Sequence, residues 1–308
     1  MSLEKFNCKP RRPVSFRLCN VSGYTTEVME ILSQDPSLHV LFVPGNPGII
    51  SFYKDFLEAL YEFLGETASV TAIGHISQTE KNWERGKLFL LQEQIDHKVD
   101  FVRQQLLKDD LPIVLVGHSI GAYMSMETLK RYPEKVIYCA GLYPYLMFNP
   151  LSKTQILYKK VFRLPVLCFL LSFCIASLGL LPKCATRLLV SKSVGKSWSA
   201  TAIDATCSHL LRYHTFRNML FLALGEFTEL SGPLDWAFMR ENKGKFAFLF
   251  GVDDHWGSLE MYEEISKQVP EISLSIERQG LIHNFCCTEA GSLWIARQVA
   301  SFIKNIRQ

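Results

Sequence analysis

Apolar and polar positions along this chain follow two periods. Residues 14–21 and 24–32 alternate on either side of Ser22-Gly23, a pattern that predicts a β-hairpin. Val40-Leu41-Phe42-Val43 is a short continuous apolar run that stops at Pro44-Gly45-Asn46-Pro47-Gly48, as a buried strand followed by a tight loop does. Phe52 to Phe63 has helical spacing, and Val70 to Ile76 returns to strand. From about Leu88 to Leu107, the residues Leu88, Leu91, Ile95, Val99, Val102 and Leu106 fall on one helical face. Strand 113–116, helix 121–131 and a strand from Lys135 to Leu142 follow. Beyond Pro150 the alternation stops until Phe246 to Phe250, and helix 258–268, strand 272–277 and helix 289–304 complete the pattern. Strands alternating with helices on both sides of a gap predict an α/β fold. We expect one mainly parallel twisted sheet with helices on both faces, in a single domain 1–308 that carries a helical, apolar insertion over 150–243.

The junction after Val116 is where the pattern meets chemistry. Gly117-His118-Ser119-Ile120-Gly121 stands between a predicted strand and a predicted helix, the context in which Gly-x-Ser-x-Gly forms a nucleophile elbow. Small residues on both sides let strand and helix pass closely, and the sharp turn lifts the serine hydroxyl clear of the sheet. A serine hydroxyl is a poor nucleophile near neutral pH. It needs a histidine base, and the histidine needs a carboxylate that holds its tautomer and stabilises its cation. On such an elbow the chain order is serine, acid, histidine.

That order prunes the eight histidines. His39, His75 and His97 precede Ser119, and His118 sits inside the elbow and is expected to point elsewhere. His209 and His214 lie in the insertion, and His255 abuts the acidic candidates. His283 remains, between the last strand and the last helix, where a loop at a strand's carboxyl end suits a base. Gly251-Val252-Asp253-Asp254 offers two acids. Gly-x-x-Asp spacing favours Asp254, with Asp253 kept in reserve, and either could simply cap the helix that starts near Ser258. Two backbone N–H groups must face the developing oxyanion. We assign them to Ile120, which follows the serine, and to Asn46, in a five-residue turn with two prolines and two glycines.

Together these stretches resemble the α/β-hydrolase superfamily and, more closely, the lipid-droplet-associated hydrolase family. The matching stretches are Val43-Pro-Gly-Asn-Pro-Gly48, Gly117-His-Ser-Ile-Gly121, Tyr143-Pro-Tyr145, Gly251-Val-Asp-Asp-His-Trp256 and Gly280-Leu-Ile-His-Asn284. One departure from the wider superfamily is Pro44, where many members have histidine before the oxyanion glycine. That keeps the backbone donor but alters the wall beside it. The resemblance implies a serine lipid hydrolase of the carboxylic ester class, with sterol esters as candidate substrates. It also implies association with lipid droplets and with the cytosolic face of the endoplasmic reticulum membrane. Other outcomes stay open: a droplet-surface organising protein with little turnover, or an acyltransferase or thioesterase using the same site.

Charge and composition bear on location more than on chemistry. The formal net charge is only +3, which gives no general attraction to nucleic acid. Its distribution is uneven. Between Pro150 and Gly225 lie ten Lys or Arg and a single acid, Asp204, so the rest of the chain is net negative. Nine cysteines without a Cys-x-x-Cys pair or a zinc spacing point to a reducing compartment, and no metal or organic cofactor is expected. The first twenty residues do not read as a secretory signal, and Asn20-Val21-Ser22 reads as a turn rather than a glycosylation site.

Leu164 to Pro182 runs nineteen residues without a charge, flanked by Lys159, Lys160 and Arg163 on one side and Lys183 and Arg187 on the other. As a straight helix it would reach about 28 Å, close to the roughly 30 Å of a bilayer core. A single crossing would separate Ser119 from Asp254 and His283. The segment should therefore enter and return on one face as a hairpin, lie in the interface of a droplet monolayer or membrane, or form a dry cap over the site. Pro165, Ser172, Ser177 and Gly179 favour a bent form, and a second amphipathic run from Leu210 to Leu222 is expected to join it.

Overall fold

A computed structural model describes residues 14–193 and 197–306. Lys196 and most of the first twenty residues lie outside them. Eight strands form one sheet in the order β1-β2-β4-β3-β5-β6-β7-β8: β1 Ser15–Val21, β2 Tyr24–Ile31, β3 Leu38–Val43, β4 Ala68–Ile73, β5 Ile113–His118, β6 Val136–Leu142, β7 Phe246–Gly251 and β8 Ser273–Glu277. The expected hairpin is β1–β2, and β2 also runs antiparallel to β4. All other neighbours are parallel.

The central strands are buried on both faces, which is why their sequences read as unbroken apolar runs rather than alternation. Val40, Phe42, Val114 and Val116 point to one face, where α1 (Lys54–Phe63) and α11 (Glu289–Asn305) contribute Phe56, Ile295 and Val299. Leu41, Ile113 and Leu115 point to the other. There α2 (Leu91–Phe101), α3 (Ile120–Arg131) and α10 (Leu259–Gln268) contribute Phe101, Met126 and Ile265.

Three boundaries differ from the sequence pattern. A 3-10 turn, Ile50–Tyr53, precedes α1. Strand β4 ends at Ile73 rather than Ile76, and beyond it the backbone bonds to the loop after β3, with His75 N–H donating to Gly48 O at 3.0 Å. The helix expected from Leu88 begins at Leu91: Leu90 is extended, with ψ 159°, and caps it with its N–H donating to Glu93 Oε2, while Phe89 N–H donates to Asn218 Oδ1. Its last turn, Val102–Leu106, is wound as π-helix.

Between β6 and β7 the described residues form helices and no strand. These are α4 Lys153–Phe162, α5 Pro165–Leu178, α6 Lys183–Ser193, α7 Ala200–Ala205, α8 Tyr213–Glu229 and α9 Trp236–Glu241. Among the described residues no single helix is long and apolar enough to cross a membrane, and α4 and α5 meet at 91°. Pro165 starts α5 and Gly179 follows its end, but the helix runs unbroken through Ser172 and Ser177, so the apolar run turns at its ends and not within it.

Candidate active site

Strand order places β3 beside β5, with the connection from β3 running to β4 on one side and that from β5 to β6 on the other, so the strand order reverses at the carboxyl ends of β3 and β5, where sites form in such sheets. Ser119 follows β5 at this point, with φ 53° and ψ −123°. A non-glycine residue held there costs on the order of 1–3 kcal/mol and needs surroundings that over-determine it. Here Ser119 N–H donates to Leu142 O at 2.9 Å, and Ser119 O accepts from Ala122 N–H at 3.0 Å and Tyr145 N–H at 3.1 Å. Both elbow glycines meet backbone at close range. A Cβ on Gly117 would lie 2.3 Å from Gly121 O, and one on Gly121 would lie 2.2 Å from Val43 O.

Asp254 and His283 are brought together. His283 Nδ1 is 2.9 and 3.0 Å from the two carboxylate oxygens of Asp254, whose Oδ1 also accepts from Trp256 N–H at 2.9 Å. A carboxylate only accepts, so Nδ1 carries the hydrogen and Nε2 is left as the basic nitrogen. The Asp254 side chain is 1% exposed, whereas Asp253 points to solvent. Beside them a cavity of about 330 Å³ is lined by Asp254, Trp256, Glu277, Leu281 and His283. Ser119 Oγ makes no hydrogen bond to the His283 ring among the described residues. Such contacts are often long before substrate binds.

His118 is turned toward His283, contrary to the expectation that it would point elsewhere. Strand alternation places it on the face of Val114 and Val116, and the loop after β8 closes over that face. Its Nε2 lies 3.0 Å from His283 O and its Nδ1 2.7 Å from Tyr53 Oη, which in turn accepts from Gly45 N–H at 3.2 Å. A carbonyl can only accept, so His118 Nε2–H donates and Nδ1 receives the tyrosine proton. Burial, reinforced by the nearby His283, pulls the His118 pKa well below that of a free imidazole and keeps the ring neutral. This chain of bonds ties the loop after β3 to the loop that bears His283.

Ile120 follows Ser119 within the elbow, and Asn46 stands in the loop after β3, whose Gly45 packs so close that a Cβ there would lie 3.0 Å from Ser119 Cβ. Neither amide makes a hydrogen bond with another described residue, whereas Gly45 N–H is spent on Tyr53 and Gly48 N–H donates to Gln78 Oε1 at 2.5 Å. The Asn46 side chain points into the insertion, with Nδ2 donating to Met219 O at 2.9 Å and to Glu226 Oε1 at 3.0 Å. Gly48 packs on His75 so closely that a Cβ would fall 2.1 Å from its ring.

Several supporting residues escaped the sequence reading. Glu277, at the end of β8, accepts from Tyr143 Oη at 3.2 Å, from Leu281 N–H at 3.1 Å and from Gln279 N–H, and so braces the His283 loop. Gln155 on α4 donates to His255 O at 2.9 Å and braces the Asp254 loop. Of these only Tyr143 stood in a stretch that the sequence marked. The others are single polar residues whose meaning depends on partners far along the chain.

The chain matches the family described as "Lipid-droplet associated hydrolase" over residues 36–286. It belongs to the lipid droplet-associated hydrolase family. The protein of that name from Gallus gallus is 28% identical over 269 residues, covering 81% of this chain and 80% of the relative. The Homo sapiens protein is 27% identical over 266 residues with the same coverage, and the Dictyostelium discoideum protein 24% over 284 residues, covering 86% and 88%. Among solved structures, a haloalkane dehalogenase from Bradyrhizobium elkani superposes with a TM-score of 0.71 at 16% identity, covering 96% of this chain and 99% of the other. An epoxide hydrolase from Vigna radiata gives 0.67 at 16%, covering 95% and 98%. At that identity they establish the α/β-hydrolase fold and nothing finer.

Proposed function

We propose that this protein is a serine ester hydrolase acting on lipid esters, sterol esters among them, at the surface of lipid droplets or the cytosolic face of the endoplasmic reticulum. Ser119 Oγ attacks the acyl carbonyl while His283 Nε2 takes its proton. Asp254 fixes the ring through Nδ1 and stabilises the imidazolium that forms. The amides of Asn46 and Ile120 donate to the tetrahedral oxyanion. His283 then protonates the leaving alcohol, the acyl-enzyme forms, and water activated by the same histidine releases the acid. The observation that carries this reading is the buried Asp254 bonded to His283 Nδ1, in a loop tied through His283 O to His118, the neighbour of a serine held at positive φ.

In the same proposal residues 150–243 act as a cap within one domain 1–308, and its apolar surface is the lipid contact. Val166, Phe169, Leu170, Phe173, Leu180 and Leu181 are exposed, beside exposed Lys160, Arg163 and Lys183. Monomeric soluble proteins rarely carry a patch of this kind, and basic flanks suit an anionic headgroup layer. The segment need not cross the layer, which agrees with Ser119 preceding it and Asp254 and His283 following it.

The test is labelling with a fluorophosphonate probe, together with release of fatty acid from an emulsified neutral-lipid panel. Wild type should label and turn over, and Ser119→Ala should do neither. Labelling that survives Ser119→Ala would remove Ser119 as the nucleophile. Acyl product appearing on an added alcohol or thiol, with no free acid, would redirect the reading to a transferase.

A further inference from the structure

The loop after β3 is anchored from below by the core and from above by the insertion. The upper anchor is chemically odd. Glu226 sits on α8 among Leu222, Phe227 and Leu230, is 7% exposed, and has no ion-pair partner among the described residues. Burying a carboxyl without a cation costs several kcal/mol or forces the group toward its neutral form. Burial does lift the Glu226 pKa to about 7, against the opposing pull of the Asn46 hydrogen bond. A leucine at this position would pack at no such cost, so the fold alone gives no reason for the acid.

The reason lies in what Glu226 holds. Its Oε1 accepts from Asn46 Nδ2 at 3.0 Å, and Met219 O, seven residues earlier on α8, accepts from the same nitrogen at 2.9 Å. Both hydrogens of that amide are thus spent on α8. Asn46 Oδ1 is buried and has no partner among the described residues, so a protonated Glu226 has one natural acceptor for its hydrogen. A carboxylic acid and a primary amide pair in this way through two parallel bonds. The pair fixes the plane of the Asn46 side chain and, through Cα, the direction of its backbone N–H.

We propose that Glu226 is a positioning residue for the oxyanion-stabilising turn: its carboxyl clamps the Asn46 side chain to α8 and thereby aims the Asn46 N–H at the space above Ser119. The proposal rests on the serine hydrolase reading given above. It makes the insertion part of the catalytic geometry and not only a lid or a lipid anchor. An oxyanion donor acts in the transition state, so loosening it lowers kcat and leaves KM nearly unchanged.

Three variants test the clamp on a short water-soluble ester, p-nitrophenyl butyrate, with fluorophosphonate labelling rate as a second readout. Glu226→Leu keeps volume and removes both polar atoms. It should lower kcat and the labelling rate by about 10- to 100-fold, up to the loss seen when one oxyanion donor is removed, with KM within twofold. Glu226→Gln keeps the acceptor and supplies an N–H for Asn46 Oδ1, and should stay within about twofold of wild type. Asn46→Ala keeps its backbone amide and should fall as far as Glu226→Leu. The double variant should fall no further, since one clamp can be lost only once. If Glu226→Leu does not fold, Asn46→Ala against Glu226→Gln carries the same comparison.

The proposal is overturned if Glu226→Leu keeps its kcat, if Glu226→Gln falls with it, if the loss lies in KM, or if the two single losses multiply. Failure of the hydrolase reading looks different: wild type itself would not label, or Ser119→Ala would label equally.

Discussion

Helices α3 and α5 bury themselves in inverse order to their composition. Helix α3 carries Glu127, Lys130 and Arg131, yet eight of its twelve residues are buried between β5, β6 and α2. Helix α5 has no charge in fourteen residues, yet buries only Cys168 and Ser172, against α8. The fold accounts for α3: it must pack close enough for Gly121 to touch Val43 O, because that approach sets Ser119 at the end of β5. The fold gives no account of why α5 is apolar on the side that faces away. Leu170 is 51% and Phe173 60% exposed, and a side chain that gains nothing from the core is explained by a surface outside it. On the proposed reading, one helix is shaped by chemistry at its N-terminus and the other by contact with lipid.

The largest effect expected on this contrast is at the α3 end. Asp254→Asn would offer His283 Nδ1 an amide that no longer fixes the tautomer, and should lower kcat by about 10⁴-fold. Asp253→Asn, in solvent one residue away, should leave it unchanged within twofold. Steady-state kinetics on a soluble ester decides between them, and equal losses would remove Asp254 from its proposed role. At the α5 end, Leu170→Glu with Phe173→Glu should weaken binding to phospholipid-coated triacylglycerol droplets by a few hundred-fold or more, from about 2 kcal/mol per buried side chain. Hydrolysis of the soluble ester should not change. A flotation assay reads the first and a spectrophotometer the second. Joint loss of both would collapse the distinction between site helix and surface helix.

The smallest effect concerns the join between the two regions. The folded-state pKa of Glu226, about 7, lies above the unfolded value near 4.5. Its contribution to wild-type stability is therefore fully present below pH 4.5 and is lost as pH rises through 7. Gln does not titrate. The unfolding free energy of Glu226→Gln minus that of wild type should grow between pH 4.5 and 8, by about 3 kcal/mol at most. Urea titrations of both proteins across that range isolate this carboxyl. The half-buried His39, whose pKa desolvation lowers to about 4, contributes with the opposite sign but equally to both. A flat difference would mean that Glu226 is not held as described.

Much of the candidate site was legible because elbow motifs are local. Gly117 to Gly121 join a buried strand to a helix, and in the turn after β7 a single residue separates the buried Asp254 from the exposed Asp253. His118 was misjudged for the complementary reason. Its direction follows from strand alternation, but its meaning depends on where the loop after β8, 165 residues later, comes to rest. The start of α2 was placed too early because apolar spacing does not show that Leu90 is extended, in a segment held by Asn218 on α8, a partner that no window of sequence around Leu88 contains.

What the sequence by itself determined is therefore whatever short-range periodicity and chain order encode. That includes the mainly parallel sheet, the elbow, the order of serine, acid and histidine, and the apolar segment that interrupts them. Only the tertiary structure decided that α4 and α5 meet at 91°, that His118 and Tyr53 link two loops of the candidate site, and that Asn46 is gripped by Met219 and Glu226, 173 and 180 residues further along. The physical reason is the range of the forces involved. Backbone periodicity and turn sterics act over a few residues, whereas a buried carboxyl acquires its proton affinity and its partner only when distant segments exclude water around it.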